Sequence, residues 1–212
     1  MLTLDSADAY ERAVGLATCG RRQLLGITGA PAAGKSTYAE QLAAKLAADG
    51  HHVALVPMDG YHLAQSVLDE LGLADVKGAP HTFDAQGFVA MLRRLKQTPD
   101  EHIWAPRFDR GIEDSIAASI GVAPEVTLVI TEGNYLLLGQ PPWSAVRELL
   151  DQCWYVEVPE ALRHARLEAR HRQFGRSAQE AHERTYGSDE RNAQLIAATA
   201  PAADALIHLP AR

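Results

Sequence analysis

The chain has 212 residues, 47% of them hydrophobic, and a formal net charge of −7. That length builds one good core and falls short of two ordinary domains. The acidic balance argues against a nucleic-acid partner, which wants a basic face, and no apolar run of about 18 residues is present to span a membrane.

Cys19 and Cys153 stand far apart with no C-x-x-C pattern, which points to a reducing compartment and no disulfide framework. Met1 to Cys19 lacks the basic start and apolar block of a secretory signal. The expected location is the cytoplasm. The expected partner is a small-molecule substrate, with no nucleic acid and no membrane, and with room for a homodimer.

In chain order, Asp5 or Ser6 caps a first helix to about Leu16. Leu24 to Ile27 reads as a buried parallel strand. A helix runs from Lys35 to Ala48, and Val53 to Met58 is a second strand ending in Asp59-Gly60-Tyr61-His62. A loop rich in Gly, Pro and His spans Leu73 to Thr82. Phe83 to Gln97 is helical, with Phe88, Met91, Leu92 and Leu95 on one face. His102 to Phe108 is a strand, whereas Asp109 to Gly121 is polar, then weakly amphipathic, and is assigned to no element. Val126 to Thr131 is the most strand-like segment, ending in Glu132-Gly133-Asn134-Tyr135. A helix at Trp143–Leu150 and a strand at Cys153–Val158 follow. A charged helix covers Glu160 to about Gln173, broken at Phe174–Ser177. Further helical stretches end near Gly187 and Ala198, and Ala205–Leu209 is a last strand. Strands that alternate with helices predict an α/β fold, a parallel sheet covered on both faces in one domain, residues 1–212.

The stretch Gly29-Ala30-Pro31-Ala32-Ala33-Gly34-Lys35-Ser36-Thr37 reads G-x-x-x-x-G-K-S between a strand and a helix. This is the phosphate-binding P-loop. Gly29 and Gly34 let successive N–H groups turn inward on phosphate oxygens. Lys35 supplies a cation for the β- and γ-phosphates and Ser36 a hydroxyl for Mg²⁺. The helix N-terminus adds partial positive charge. Nucleotide binding follows, with ATP and Mg²⁺ as the expected cofactors.

Asp59, Tyr61 and His62 sit past the carboxyl end of a strand, where ligands bind in open α/β sheets. Asp59 is the candidate base for a substrate hydroxyl. Glu132 is the candidate carboxylate for the metal, directly or through water. Among the arginines of 163–176, Arg170 and Arg172 precede the Gly175 break and are the candidates for a lid closing on the phosphates. His81 and Asp84, with Arg107 and Asp109 in Pro106–Arg110, mix polar groups with aromatics and are candidates for a small hydroxylated substrate. A helix cap is the competing reading of Asp84.

These motifs, G-A-P-A-A-G-K-S-T at 29–37, M-D-G-Y-H at 58–62, P-R-F-D at 106–109, V-I-T-E-G-N-Y-L at 129–136 and the Arg-rich 163–176, resemble the phosphoribulokinase/uridine kinase/bacterial pantothenate kinase family. The likeness is nearest to the branch labelled fructose transport system kinases. It implies a P-loop NTPase three-layer α/β/α sandwich, with a five-stranded parallel sheet and an Arg-rich lid at 163–187. It also implies transfer of the ATP γ-phosphate to a hydroxyl. It matches Asp59 to the family's base, Glu132 to its carboxylate at metal and substrate, His81 to the substrate side and Asn192 to a place beside adenine. The chain is shorter than the pantothenate kinases. Arg107 and Arg110 point to an anionic acceptor, a carboxylate or a phosphate. The competing function is a nucleotide-hydrolysing regulatory NTPase, weakened for GTP by the absence of an N-K-x-D pattern. A nucleotide-binding protein without turnover is disfavoured by the presence of Lys35, Ser36, Asp59 and Glu132 together.

Overall fold

A computed structural model describes residues 2–209. The first half runs β1 (Leu2–Leu4), α1 (Ser6–Ala17), β2 (Gln23–Thr28), α2 (Lys35–Ala48), β3 (Val53–Leu55), α3 (Gln65–Glu70) and α4 (Ala85–Gln97). The second runs β4 (Ile103–Asp109), β5 (Asp114–Val122), β6 (Leu128–Glu132), α5 (Ser144–Leu149), β7 (Gln152–Glu157), α6 (Glu160–Gln173), α7 (Ala178–Tyr186), α8 (Ser188–Ala197) and β8 (Ala205–His208).

One six-stranded sheet has the order β1-β8-β7-β2-β6-β3, and every pairing in it is parallel. The expected count of five is corrected to six. The added edge strand, β1, is three residues long, too short to show a period.

Side chains alternate across each strand. Leu25, Ile27, Leu128 and Ile130 therefore face one side with Ala13 of α1 and Leu42 and Leu46 of α2. Leu24 and Val129 face the other with Phe88, Leu92 and Leu95 of α4 and Val146 of α5. Each large apolar side chain fully buried in these layers stabilises the fold by about 1.5–3 kcal/mol.

Asp5 caps α1 by accepting from the N–H groups of Ala7 and Asp8. The second strand stops at Leu55, and Met58–Tyr61 form a 3-10 turn instead of the expected strand end. That turn swings Asp59 off the sheet edge. The unassigned stretch 109–121 forms β5, antiparallel to β4 in a separate hairpin with a bulge between Ala105 and Arg107. Pro106 has no N–H to give the ladder, which fits a bulge there. The hairpin packs on the 3-10 turn: a Cβ on Gly60 would lie 2.4 Å from the Pro106 carbonyl oxygen.

Candidate active site

The P-loop, the Asp59 turn, the end of β6, the 76–83 loop, the hairpin tip and α6–α8 enclose a cavity of about 760 Å³. That is the size of a small-molecule site. It lies at the carboxyl ends of β2, β6 and β3, where α/β sheets place ligands.

Gly34 takes φ 92°, a left-handed angle that glycine adopts without strain, and hands over directly to α2 at Lys35. The Lys35 ammonium donates to the Ala30 carbonyl at 3.0 Å. Burial holds its pKa below the usual lysine range, while the Glu132 and Asp59 carboxylates oppose that shift. Pro31, Ala32, Gly34, Lys35, Ser36 and Thr37 line the cavity. Gly29, Ala30 and Ala33 shape the loop without lining it, and Ala33 packs into the core.

The Ser36 hydroxyl donates to Glu132 Oε1 at 2.9 Å. Glu132 is buried, and burial first, then the nearby Asp59 charge, push its carboxyl above the usual range. Two hard oxygen donors on a buried carboxylate that resists ionising suit a divalent cation, which favours the charged form.

Asp59 stands at the cavity wall with Oδ2 3.4 Å from Arg110 Nη2. His62 lies 2.9 Å from the Asp59 carbonyl through Nδ1 and packs between Phe83 and Phe108, with ring centres at 4.0 and 4.7 Å. Burial lowers its pKa, so the imidazole is kept neutral. His81 and Asn192 also line the cavity.

Arg170 lines the cavity with no hydrogen-bond or ion-pair partner for its side chain among the described residues. Burial is the first cause of its lowered pKa, and Asp189 and Asp59 act against it. Its helix is tied to α8. Arg163 pairs with Glu190, His164 Nε2 lies 2.9 Å from the same carboxylate, and His171 Nε2 lies 2.6 Å from Asp189 Oδ2. Arg176, past the Gly175 break, donates to His171 Nδ1 at 2.6 Å. Glu160, His164 and Glu190 bring ligand atoms together, but the Arg163 guanidinium already fills that spot.

Besides Gly29, Ala30 and Ala33, five further expected site residues fall outside the cavity. Arg172 is exposed on the other face of α6, because two residues along a helix turn the side chain away from Arg170. Tyr61 is buried against Phe88, ring centres 5.2 Å apart, and its hydroxyl has no partner among the described residues. Asp84 caps α4 by accepting from the Gly87 N–H at 2.8 Å. Arg107 points to solvent because strand alternation turns its neighbour Phe108 inward. Asp109 accepts from the N–H groups of Gly111 and Ile112 and holds the hairpin turn. In their place the structure brings in Lys77, Phe108, Arg110, Arg176, Arg184 and Asp189. The only signal for Lys77 was a lone cation in the Gly/Pro/His loop.

A P-loop ending on a parallel strand, a strand-end carboxylate on its serine and helices on both sheet faces define a P-loop nucleotide-binding fold of the three-layer α/β/α class. Comparison with known proteins narrows this. A Schizosaccharomyces pombe protein described as a "putative uridine kinase" is 36% identical over 197 residues, covering 89% of this chain and 84% of that one. The crystal structure of a "putative fructose transport system kinase" from Silicibacter sp. TM1040 matches with TM-score 0.84 and 38% identity, covering 95% of this chain and 98% of that one. Pantothenate kinase of Yersinia enterocolitica is 33% identical over 157 residues, 69% of this chain, and the chain spans only 49% of that enzyme. The family described as methylmalonyl Co-A mutase-associated GTPase MeaB matches residues 8–66. The chain belongs to the family of P-loop kinases that holds the uridine kinase-like and pantothenate kinases. It is thus a small-molecule phosphotransferase by family. No helix among the described residues is long and apolar enough to cross a membrane.

Proposed function

We propose that this chain is an ATP-dependent kinase that moves the γ-phosphoryl group to a hydroxyl of a small polar metabolite. The convergence of Lys35, Ser36, Glu132 and Asp59 on one cavity wall carries this reading. Phosphoryl transfer asks for positioning and charge stabilisation more than covalent chemistry. The P-loop N–H groups and Lys35 hold the β- and γ-phosphates. Ser36 and Glu132 would hold Mg²⁺, which spreads the charge of the transferred group. Asp59 orients the acceptor hydroxyl. The acceptor oxygen bonds to the γ-phosphorus, the bond from that phosphorus to the β-bridging oxygen breaks, and the hydroxyl proton passes to Asp59. ADP leaves with the electron pair. Arg170 supplies positive charge from the lid, residues 163–187, and Asn192 borders the nucleotide.

The second reading, a nucleotide-hydrolysing regulatory NTPase, draws on the GTPase-family match. That match spans 8–66 and so includes the P-loop and Asp59 but stops before Glu132 and the lid. Incubation with Mg-ATP and pooled sugars, nucleosides, hydroxy acids and sugar phosphates separates the two. Mass spectrometry is expected to find a compound heavier by one phosphoryl group, absent with Asp59→Asn. ADP without a phosphorylated product, unaltered in the variant, moves the hydrolase reading ahead.

A further inference from the structure

The wall of the cavity beside Asp59 carries two cations, Arg110 and Lys77, that come from elements other than the P-loop and α6. The P-loop, Glu132 and Asp59 succeed one another across the sheet in the strand order β2, β6, β3. The hairpin packs beyond, on the Asp59 turn through Gly60 and Pro106. Arg110, at the hairpin tip, therefore reaches Asp59 from the hairpin side of the turn. It holds that carboxylate through one contact of 3.4 Å from a half-exposed side chain. An ion pair so placed contributes about 0–1 kcal/mol and exchanges readily for a better one. Lys77 comes to the same wall from the 76–83 loop. Its ammonium donates to the Glu113 carbonyl at 2.8 Å and to Gln65 Oε1 at 3.1 Å, 5.4 Å from the centre of the Phe108 ring. Among the described residues its charge is met only at 3.9 Å, by the half-exposed Glu113 carboxylate.

We infer that the phosphoryl acceptor is an anionic hydroxy compound, a carboxylate or a phosphate ester, whose anion pairs with Arg110 and Lys77 beside Asp59. This rests on the kinase reading above. The planar guanidinium matches either anion through two parallel hydrogen bonds. Taking them draws Arg110 off Asp59 and frees Oδ2 for the hydroxyl proton. A neutral acceptor offers Arg110 nothing better and leaves Asp59 capped. The same contact thus selects the acceptor and uncovers the base. Phe83, Phe108 and the neutral His62 supply the apolar and hydrogen-bonding walls for the remainder of the molecule.

Matched acceptors test this with Mg-ATP and the wild-type chain. Hydroxycarboxylates are run against their amides, and sugar phosphates against the free sugars. Phosphorylated product is expected about tenfold or more faster in one anionic arm than in its neutral partner, and the arm that responds names the anion. Equal or faster transfer to the neutral member overturns the inference and leaves the kinase reading standing. No product in any arm counts against the kinase reading, and the inference falls with it. In the responding arm, Arg110→Gln is expected to raise the acceptor KM about tenfold or more while the ATP KM stays put, with partial recovery in Arg110→Lys. An unchanged acceptor KM in folded Arg110→Gln overturns the assignment. Should that variant fail to melt cooperatively, Lys77→Met carries the same test with the same two outcomes.

Discussion

The two sides of the cavity are built differently. The phosphate side is built on the sheet: Gly34, Lys35 and Ser36 are consecutive after β2, and Glu132 ends β6, which pairs directly with β2. Lys35 and Glu132 are buried, Lys35 bonded to the Ala30 carbonyl and Glu132 to the Ser36 hydroxyl. The acceptor side is built off the sheet: Asp59, Lys77, His81 and Arg110 arrive on a 3-10 turn, a loop and a hairpin tip. Its charges are loosely paired, and Arg110 is half-exposed. A compact site set on the sheet suits a ligand held in one fixed place. A site assembled from loops can change its ligand without disturbing the sheet.

The largest expected effect comes from the lid that spans both sides. Arg170→Gln is expected to lower the transfer rate by about 10³-fold or more. Arg172→Gln, two residues away and exposed, is expected to leave it within about twofold, since surface changes of this kind are near neutral. Steady-state turnover of the two variants checks this, and equal losses would mean that α6 acts as a charged face and not through one side chain.

Next comes the seam between turn and hairpin. A Cβ on Gly60 would meet the Pro106 carbonyl oxygen at 2.4 Å, so Gly60→Ala pushes the hairpin off the Asp59 turn. Overpacking of this sort costs about 1–3 kcal/mol. The melting temperature is expected to fall, with a raised acceptor KM and an unmoved ATP affinity. An ATP affinity that weakens equally would show that the two sides are not separable.

Asp84→Ala sharpens the comparison by removing a cap and no ligand contact. It is expected to cost about 1 kcal/mol, a fall of about 2–4 °C in Tm, at constant acceptor KM. A change in KM would return Asp84 to the substrate side.

The smallest effect is in acid. The hydrogen bond to His164 is the first cause that holds the Glu190 carboxyl below its usual range; burial comes next and opposes it, and the Arg163 guanidinium adds to the lowering. A carboxylate with a depressed folded pKa stabilises above its unfolded value and loses that contribution as pH falls through the folded one. The Tm gap between wild type and Glu190→Gln is therefore expected to be open near neutrality and to close below the usual carboxylate range. A gap that stays constant in acid would show that this pair does not hold α6 to α8.

What the sequence revealed follows the same division. The P-loop, its strand and helix, and Glu132 at the end of β6 were legible because contiguous residues carry both period and motif. Asp59 was legible as a strand-end carboxylate, although the strand itself stops at Leu55. The hairpin was not: Ile116, Ala118, Ile120 and Val122 alternate with Ser115, Ala117, Ser119 and Gly121, but the contrast between small and apolar residues is weak and the polar lead-in from Asp109 to Asp114 masks it. Without the hairpin, Arg107 and Arg110 could not be told apart: the face of a strand residue depends on register, and the bulge at Pro106 resets it. Lys77 and Asp189 were invisible for a related reason. They reach the cavity through loop and helix packing at long sequence separation, which no local pattern encodes. The sixth strand, Leu2–Leu4, was too short to read.

The account rests on Asp59 acting on the acceptor while the phosphate side holds the nucleotide. Asp59→Asn, assayed for both ATP Kd and transfer rate, tests that directly. The expected result is an ATP Kd within about twofold of wild type and a transfer rate lower by about 10²–10⁴. A transfer rate that hardly changes, or one that falls only as far as ATP binding weakens, would contradict it.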